Sequence, residues 1–290
     1  MSALKAAALQ RPPPQGRSRG PGAARRPLER RSAAAPLPAY VLHHYDWSES
    51  SLILELFTRE RGRLAVAAKG AKRPYSQLRP VLLPFQRLNV VLGRDTGDGS
   101  AEVQTLRSVE WAGGLPMPGG SALFPGFYLN ELLLKLLARQ DAHPLLFDAY
   151  AQALPALALA DETHVQAALR AFELTLLRET GLLPDLSCVT ATQQPLHAEG
   201  RYSVLAESGI VAVADHEGLS GEQWVVLHAA LSHGSAEALR EACSAALPAL
   251  RSVLRTLLHY HLGSSRLRTR QVMADVRKLL DFPPAPRQVP

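Results

Sequence analysis

Between residues 59 and 79 the chain sets Arg59, Arg61, Arg63, Lys69, Lys72, Arg73 and Arg79 against the single carboxylate of Glu60. In a stretch that otherwise reads as strand and turn, such a cluster forms a cationic surface, and its natural partner is a polyanion. Phosphate contact needs only positive heads within reach of a backbone, so lysines and arginines on strand ends and loops suffice. Arg87 and Arg94, on the next strand-like run and the loop after it, extend the candidate set. Base stacking requires an exposed ring as well. Tyr75 is the best candidate because it follows Pro74 in the basic loop, whereas Phe85 is expected to pack inside the barrel. A solvated charged loop is the plain alternative.

Other chemistries find little support in the residues. His43 and His44 are adjacent on a strand-like run and should face opposite ways, while His259 and His261 are two apart on a helix, roughly 200° around, so neither pair converges on a metal. No HExxH, GxSxG or Walker A pattern is present, and no catalytic residue is assigned. Cys188 and Cys243 lie far apart and form no CxxC pair, which argues against a disulfide framework and fits a reducing cytoplasm.

The basicity is local. The formal charge is +6, yet residues 1–38 alone carry +7 from Lys5, seven arginines and Glu29, so the rest is close to neutral. That leader is rich in Ala, Pro, Gly and Arg and has no apolar run long enough for a signal peptide. It is expected to be disordered, with a transit-like segment as the alternative. The chain is 47% apolar overall, but no apolar stretch approaches 18 residues, so no membrane association is expected.

The elements that must position these residues divide by periodicity. From Tyr40 to Trp111, short alternating runs separated by turn residues predict five strands: 40–45, 51–57, 64–68, 85–92 and 101–109. Five strands in about 70 residues suggest a small closed barrel. The glycine-rich loop 93–99 lies between two such runs without a following helix, so it reads as a hairpin and not as a phosphate cradle. After the Gly/Pro cluster at 113–120 the period becomes helical, predicting helices at 127–139, 144–159, 163–180, 236–261 and 269–280. Asp161 or Thr163 can cap the third, Val165, Leu169, Phe172 and Leu176 form its inward stripe, and Gly181 with Pro184 ends it. Two strand-like runs, 201–205 and 210–214, mark a small insertion.

This order of pieces resembles the bacterial recombination mediator family RecO. The resemblance rests on Tyr40-Val41-Leu42-His43 with Trp47-Ser48-Glu49-Ser50-Ser51-Leu52, on Leu56 to Arg63, and on Ala68-Lys69-Gly70-Ala71-Lys72. It continues through Leu83-Pro84-Phe85, Thr105 to Glu110, Tyr128-Leu129-Asn130-Glu131-Leu132, Leu169 to Leu177 ending at Gly181, and Leu267-Arg268-Thr269-Arg270. It implies an α+β chain: an N-terminal OB-fold barrel over 39–112, then an all-helical domain over 113–184 and 231–280. A small zinc-domain-like β insertion would interrupt the helices at 185–230, and residues 281–290 would be a disordered tail. The implied function is non-enzymatic. Members bind single- and double-stranded DNA, anneal complementary strands and, with RecR, help load RecA onto DNA coated by single-stranded-DNA-binding protein, in the bacterial cytoplasm at the nucleoid. An OB-type module acting on RNA or in transcription is the alternative, since stacking and phosphate contacts do not distinguish nucleic acids.

The same resemblance implies docking of the coating protein's acidic, Phe-ended tail on the helical domain. Arg170, Leu174, Leu177 and Arg178 fall at offsets of four, seven and eight, setting two guanidiniums around an apolar patch. Ordinary bundle packing of the leucines, with Arg178 paired to Glu179, is the alternative. Many members hold zinc with two CxxC pairs in the insertion. Here Cys188 stands where the first begins, Ala191 takes the second position, and too few ligands remain even with His197 or His216, so no metal or other cofactor is expected. A second basic set, Arg251, Arg255, Arg266, Arg268, Arg270, Arg277 and Lys278, either extends the DNA footprint or is a solvated helix face.

Overall fold

The computed structural model describes residues 35–93, 102–113, 120, 123–159, 161–214, 217–263 and 267–280. Arg94, Arg266, His216, most of the leader, residues 94–99 of the expected hairpin and the 281–290 tail therefore lie outside the described residues.

Five strands close into a barrel: β1 (Leu37–Asp46), β2 (Leu52–Thr58), β3 (Gly62–Ala68), β4 (Leu88–Leu92) and β5 (Val103–Trp111), in the order β1-β2-β3-β5-β4. All pairings are antiparallel except β3 with β5, and β4 closes the ring against the start of β1. Strict alternation sends β1 and β2 into two different cores. Ala39 and Val41 of β1 and Leu54 and Leu56 of β2 fill the barrel, while Tyr40, Leu42 and Phe57 point out of it into the helical core. The outward face is thus as dry as the inward one. Tyr40 meets Phe147 and Tyr150 at ring-centroid distances of 5.3 and 5.0 Å. Asn130 Nδ2 donates to the Leu42 carbonyl at 3.0 Å, and Asn130 Oδ1 accepts from Tyr150 Oη at 2.6 Å.

The helices are α1 (Leu123–Leu136), α2 (Pro144–Leu157), α3 (Glu162–Glu179), α4 (Gly221–His233), α5 (Ala236–Ala245), α6 (Leu247–His261) and α7 (Arg268–Leu280). Asp161 caps α3, its Oδ1 accepting from the Thr163 amide at 2.8 Å, and Gly181 leaves the helix with φ +71°. The helix expected at 236–261 is two, broken at Ala246 because Pro248 supplies no amide and starts a new first turn. α4 is not among the expected helices, since most of it falls within 185–230, the span expected as a small β insertion. Its signal was the capping box of Ser220 and Gln223. Between α3 and α4, β6 (Arg201–Leu205), β7 (Gly209–Ala212) and β8 (Leu219–Ser220) form a three-stranded sheet in the order β7-β6-β8. Trp224 Nε1 ties α4 to this sheet by donating to the Tyr202 carbonyl at 3.0 Å.

Two contacts lock the barrel to the helices. At Gly62, φ +65°, the backbone passes so close to the Asp141 carbonyl that a Cβ would stand 1.7 Å from its oxygen, so only glycine fits. Phe85, expected inside the barrel, instead carries φ +65° and lays its ring over Gly126 of α1, 5.0 Å from Phe127.

Candidate nucleic-acid interface

The basic segment splits into two groups that the sequence could not separate. Three of its arginines face protein. Arg59 forms a two-pronged pair with Asp148 of α2, Nε to Oδ1 at 3.0 Å and Nη2 to Oδ2 at 2.8 Å, and this partner holds its guanidinium protonated more firmly than usual. Arg61 donates to Gln104 at 3.0 Å. Arg63 is largely buried, donating to the Leu134 carbonyl and standing 3.9 Å from Glu55, a buried carboxylate that also pairs with Arg139. Arg63 is therefore a strut between barrel and helices, and its expected place among the phosphate contacts is corrected. A charge drawn into a buried pair has no free head to offer.

The second group faces solvent. Lys69, Arg73 and Arg79 are exposed on the loop after β3, and Arg87 is exposed before β4; among the described residues none of their side chains enters an ion pair or hydrogen bond. The loop is preformed: Gly70 turns it with φ +76°, Arg73 N donates to the Gly70 carbonyl at 3.2 Å, and Ser76 N to that of Arg73 at 3.0 Å. Tyr75 stands on it almost fully exposed, at 95%. Lys72 has a different task. Its amide donates to Ser50 O at 3.0 Å and its Nζ to Ser48 O at 3.1 Å, with Asp46 at 3.3 Å, which fastens the loop to the turn between β1 and β2. On that turn sits Trp47, 57% exposed, to which the sequence assigned no binding role.

The two histidines expected to diverge do not. The ladder is irregular between Val41 and His43, and the rings of His43 and His44 stack at 6.0 Å. Burial and the neighbouring charges of His44 and Arg268 lower the His43 pKa. Arg268 begins α7, whose first amides donate to Glu131 of α1 at 2.8 and 3.0 Å. Of the second basic set, Arg251, Arg255 and Arg268 are exposed.

On α3 the expected tail site is reorganised. Leu174 and Leu177 are fully buried, and Arg170, 4% exposed, pairs with Glu173 at 2.7 Å inside the core. The helix is surrounded by α1, α2, α5 and α6, so the face carrying these residues is core and not surface. Arg178 is one-third exposed and does pair with Glu179, at 3.2 Å, while donating to the Leu231 carbonyl. It also lines an open groove between α2, α3 and α5, floored by Ala168, Ala171, Phe172 and Leu239 with Arg240 beyond.

The insertion closes without side-chain convergence. Cys188 Sγ lies 4.0 Å from Gln193 Oε1, and Thr190 Oγ1 accepts from the Ile210 amide at 2.8 Å. Among the described residues no group of three or more His, Cys, Asp or Glu is placed to hold a metal ion. Cys243 is buried in α5 and its thiol pKa is pushed far up by that burial. No described helix is long and apolar enough to cross a membrane.

Comparison with known proteins accounts for both halves of this arrangement. Residues 36–114 match the family description "Recombination protein O N terminal", and residues 120–271 match "Recombination protein O C terminal". Among curated relatives, "DNA repair protein RecO" of Polaromonas sp. (strain JS666) is 52% identical over 246 residues, covering 83% of this chain and 96% of that protein. The protein of the same name from Variovorax paradoxus (strain S110) is 53% identical over 253 residues, with the same coverage of 83% and 96%. A closed five-stranded barrel fused through a common core to a helical domain, matched along both parts, places this chain in the recombination protein O (RecO) family.

Proposed function

We propose that this chain is a non-enzymatic DNA repair and recombination mediator. It binds single- and double-stranded DNA on its barrel, anneals complementary strands, and works with RecR to load RecA onto DNA covered by single-stranded-DNA-binding protein. The observation that carries this reading is the set of solvent-facing cations Lys69, Arg73, Arg79 and Arg87 on one loop system of the barrel, which are without partners among the described residues. Such heads recognise a phosphate backbone and no particular sequence. The relatives' name supports the repair role.

For the coating protein's acidic, Phe-ended tail, the groove beside α3 is the surface that suits it. Phe172 and Leu239 offer an apolar floor for a ring, and Arg178 and Arg240 offer guanidiniums for carboxylates. This moves the docking site from Arg170, Leu174 and Leu177 to the adjoining face of the same helix.

The test pairs Lys69→Ala with Arg73→Ala and leaves out Lys72, whose removal would also loosen the β1–β2 turn. Affinity should fall alike for unrelated DNA sequences, and the dependence of log affinity on log salt should become shallower by about 1.4 to 1.8, two contacts at roughly 0.7 to 0.9 each. Unchanged binding would overturn the assignment. Tighter binding to RNA than to DNA at one salt concentration would favour the RNA alternative.

A further inference from the structure

The end of β1 is exposed to solvent although it stays paired with β2. Its residues His43, His44, Tyr45 and Asp46 are all exposed, and the chain then turns through Trp47. Tyr45 is 49% exposed, with the His43 ring against it edge-on at 4.6 Å. Trp47 is 57% exposed, and among the described residues its indole enters no hydrogen bond or ring pair. Single exposed rings are ordinary on a surface. Here two large rings lie two residues apart at one exposed hairpin end, among the exposed polar residues His43, His44, Asp46, Ser48 and Glu49.

The hairpin is held stiffly. Trp47 N and Ser48 N both converge on the Ser51 carbonyl at 3.2 and 3.4 Å, and the two Lys72 bonds clamp the turn to the basic loop. Little backbone freedom remains to be lost when something covers the ring. Cations lie near the row: Lys69 and Arg73 are on the loop that Lys72 clamps to the turn, and Arg268, at the start of α7, is close enough to His43 to act on its charge. Rings beside cations are what an unpaired polynucleotide requires, one group for the base face and the other for the phosphate. A duplex hides its base faces in its own stack and offers only phosphates to the same surface.

We propose that Trp47, continued by Tyr45, is a stacking platform for unpaired bases. On this view the β1–β2 turn confers preference for single strands while the adjacent loop binds phosphates of either form. The inference rests on the nucleic-acid reading of the barrel and adds to it the discriminating residue.

The experiment uses the full chain carrying Trp111→Phe, which removes the other exposed indole; Trp224 is fully buried. Titration with oligothymidine should quench the remaining exposed tryptophan fluorescence, and a duplex of equal length should not. Trp47→Ala should weaken oligothymidine binding about 5- to 100-fold with an unchanged salt dependence, and shift duplex affinity less than about 3-fold. Trp47→Phe should restore most of the loss. The proposal is overturned if oligothymidine leaves the fluorescence untouched, or if Trp47→Ala binds it as tightly as the parent. It is equally overturned if single-strand and duplex binding fall together, which would mark Trp47 as a support for the loop, or if only binding of a partner protein suffers. Should Trp47→Ala have no effect while Lys69→Ala with Arg73→Ala weakens both forms, the stacking inference falls and the proposed function stands. If the loop variants also have no effect, both fall. Were Trp47→Ala to misfold, the quenching arm and Trp47→Phe would still decide.

Discussion

The Arg170 guanidinium stands 2.7 Å from the Glu173 carboxylate, and both side chains are sealed inside the molecule, at 4% and 0% exposure. Glu173 also accepts from Tyr128 Oη at 2.6 Å, so the pair joins α3 to α1. Truncating one member of a buried pair strands the other charge. Arg170→Ala should therefore cost about 3 to 5 kcal/mol of stability, lowering the Tm by roughly 6 to 20 °C. The combined change Arg170→Met with Glu173→Met should recover most of it. Thermal unfolding of the three proteins checks this; a full-length Arg170→Ala protein with the parent's Tm would return Arg170 to the surface role expected from sequence.

Arg59 and Asp148 bind each other across the seam between barrel and α2, each about 40% exposed. A solvent-screened pair of this kind contributes little to stability. A double-mutant cycle in urea should return only a small coupling. Arg59→Ala should also change the salt dependence of DNA binding much less than Lys69→Ala or Arg73→Ala does. An equal change would mean that Arg59 leaves Asp148 to reach phosphate.

The turn around Cys188 is closed by hydrogen bonds of the backbone: Gln193 N to Val189 O at 2.8 Å and Val189 N to Gln194 O at 2.9 Å. Cys188→Ser should shift stability by no more than about 0.5 kcal/mol, and a chelator should leave the Tm in place. Elemental analysis of purified protein checks the same point, since one equivalent of zinc would overturn the expectation that the insertion folds without metal.

His43 and His261 both have pKa values lowered from 6.5, chiefly by partial burial of their rings, and among the described residues His261 Nε2 is buried without a hydrogen-bond partner. In the unfolded chain these imidazoles take up protons at a higher pH than in the folded one. The unfolded state thus binds more protons as pH falls through 6.5, and stability must fall with it. Asp161 and Asp185, lowered from 3.8 by hydrogen bonds, act in the same direction only at much lower pH. Urea unfolding should give greater stability at pH 7.5 than at pH 5.5, and His261→Leu should flatten that difference. A flat profile in the parent would contradict it.

Much of the fold was legible because local pattern is enough to form it. Period-two runs located all five barrel strands, and the stripe Val165, Leu169, Phe172 and Leu176, with an Asp161 cap and Gly181 stop, defined α3. The break at Ala246 and the helix α4 were not expected, since a proline two residues into a helix and an apolar run are each compatible with two structures until a cap is weighed.

The candidate site was legible in kind and not in detail. By itself the sequence determined that a cationic stretch lies at the rim of a five-stranded barrel and that α3 carries an apolar stripe, because charge and periodicity are properties of neighbours along the chain. Only the tertiary structure decided that Arg59 is met by Asp148, 89 residues away, and Arg63 by Leu134, 71 residues away, while Lys69 and Arg73 meet no partner among the described residues. The same holds for Leu174 and Leu177, which a helical wheel sets on a second face and which other helices then cover. Whether a side chain is spent inside or left for a partner depends on what folds opposite it. That group comes from a distant segment, and no local spacing encodes its position.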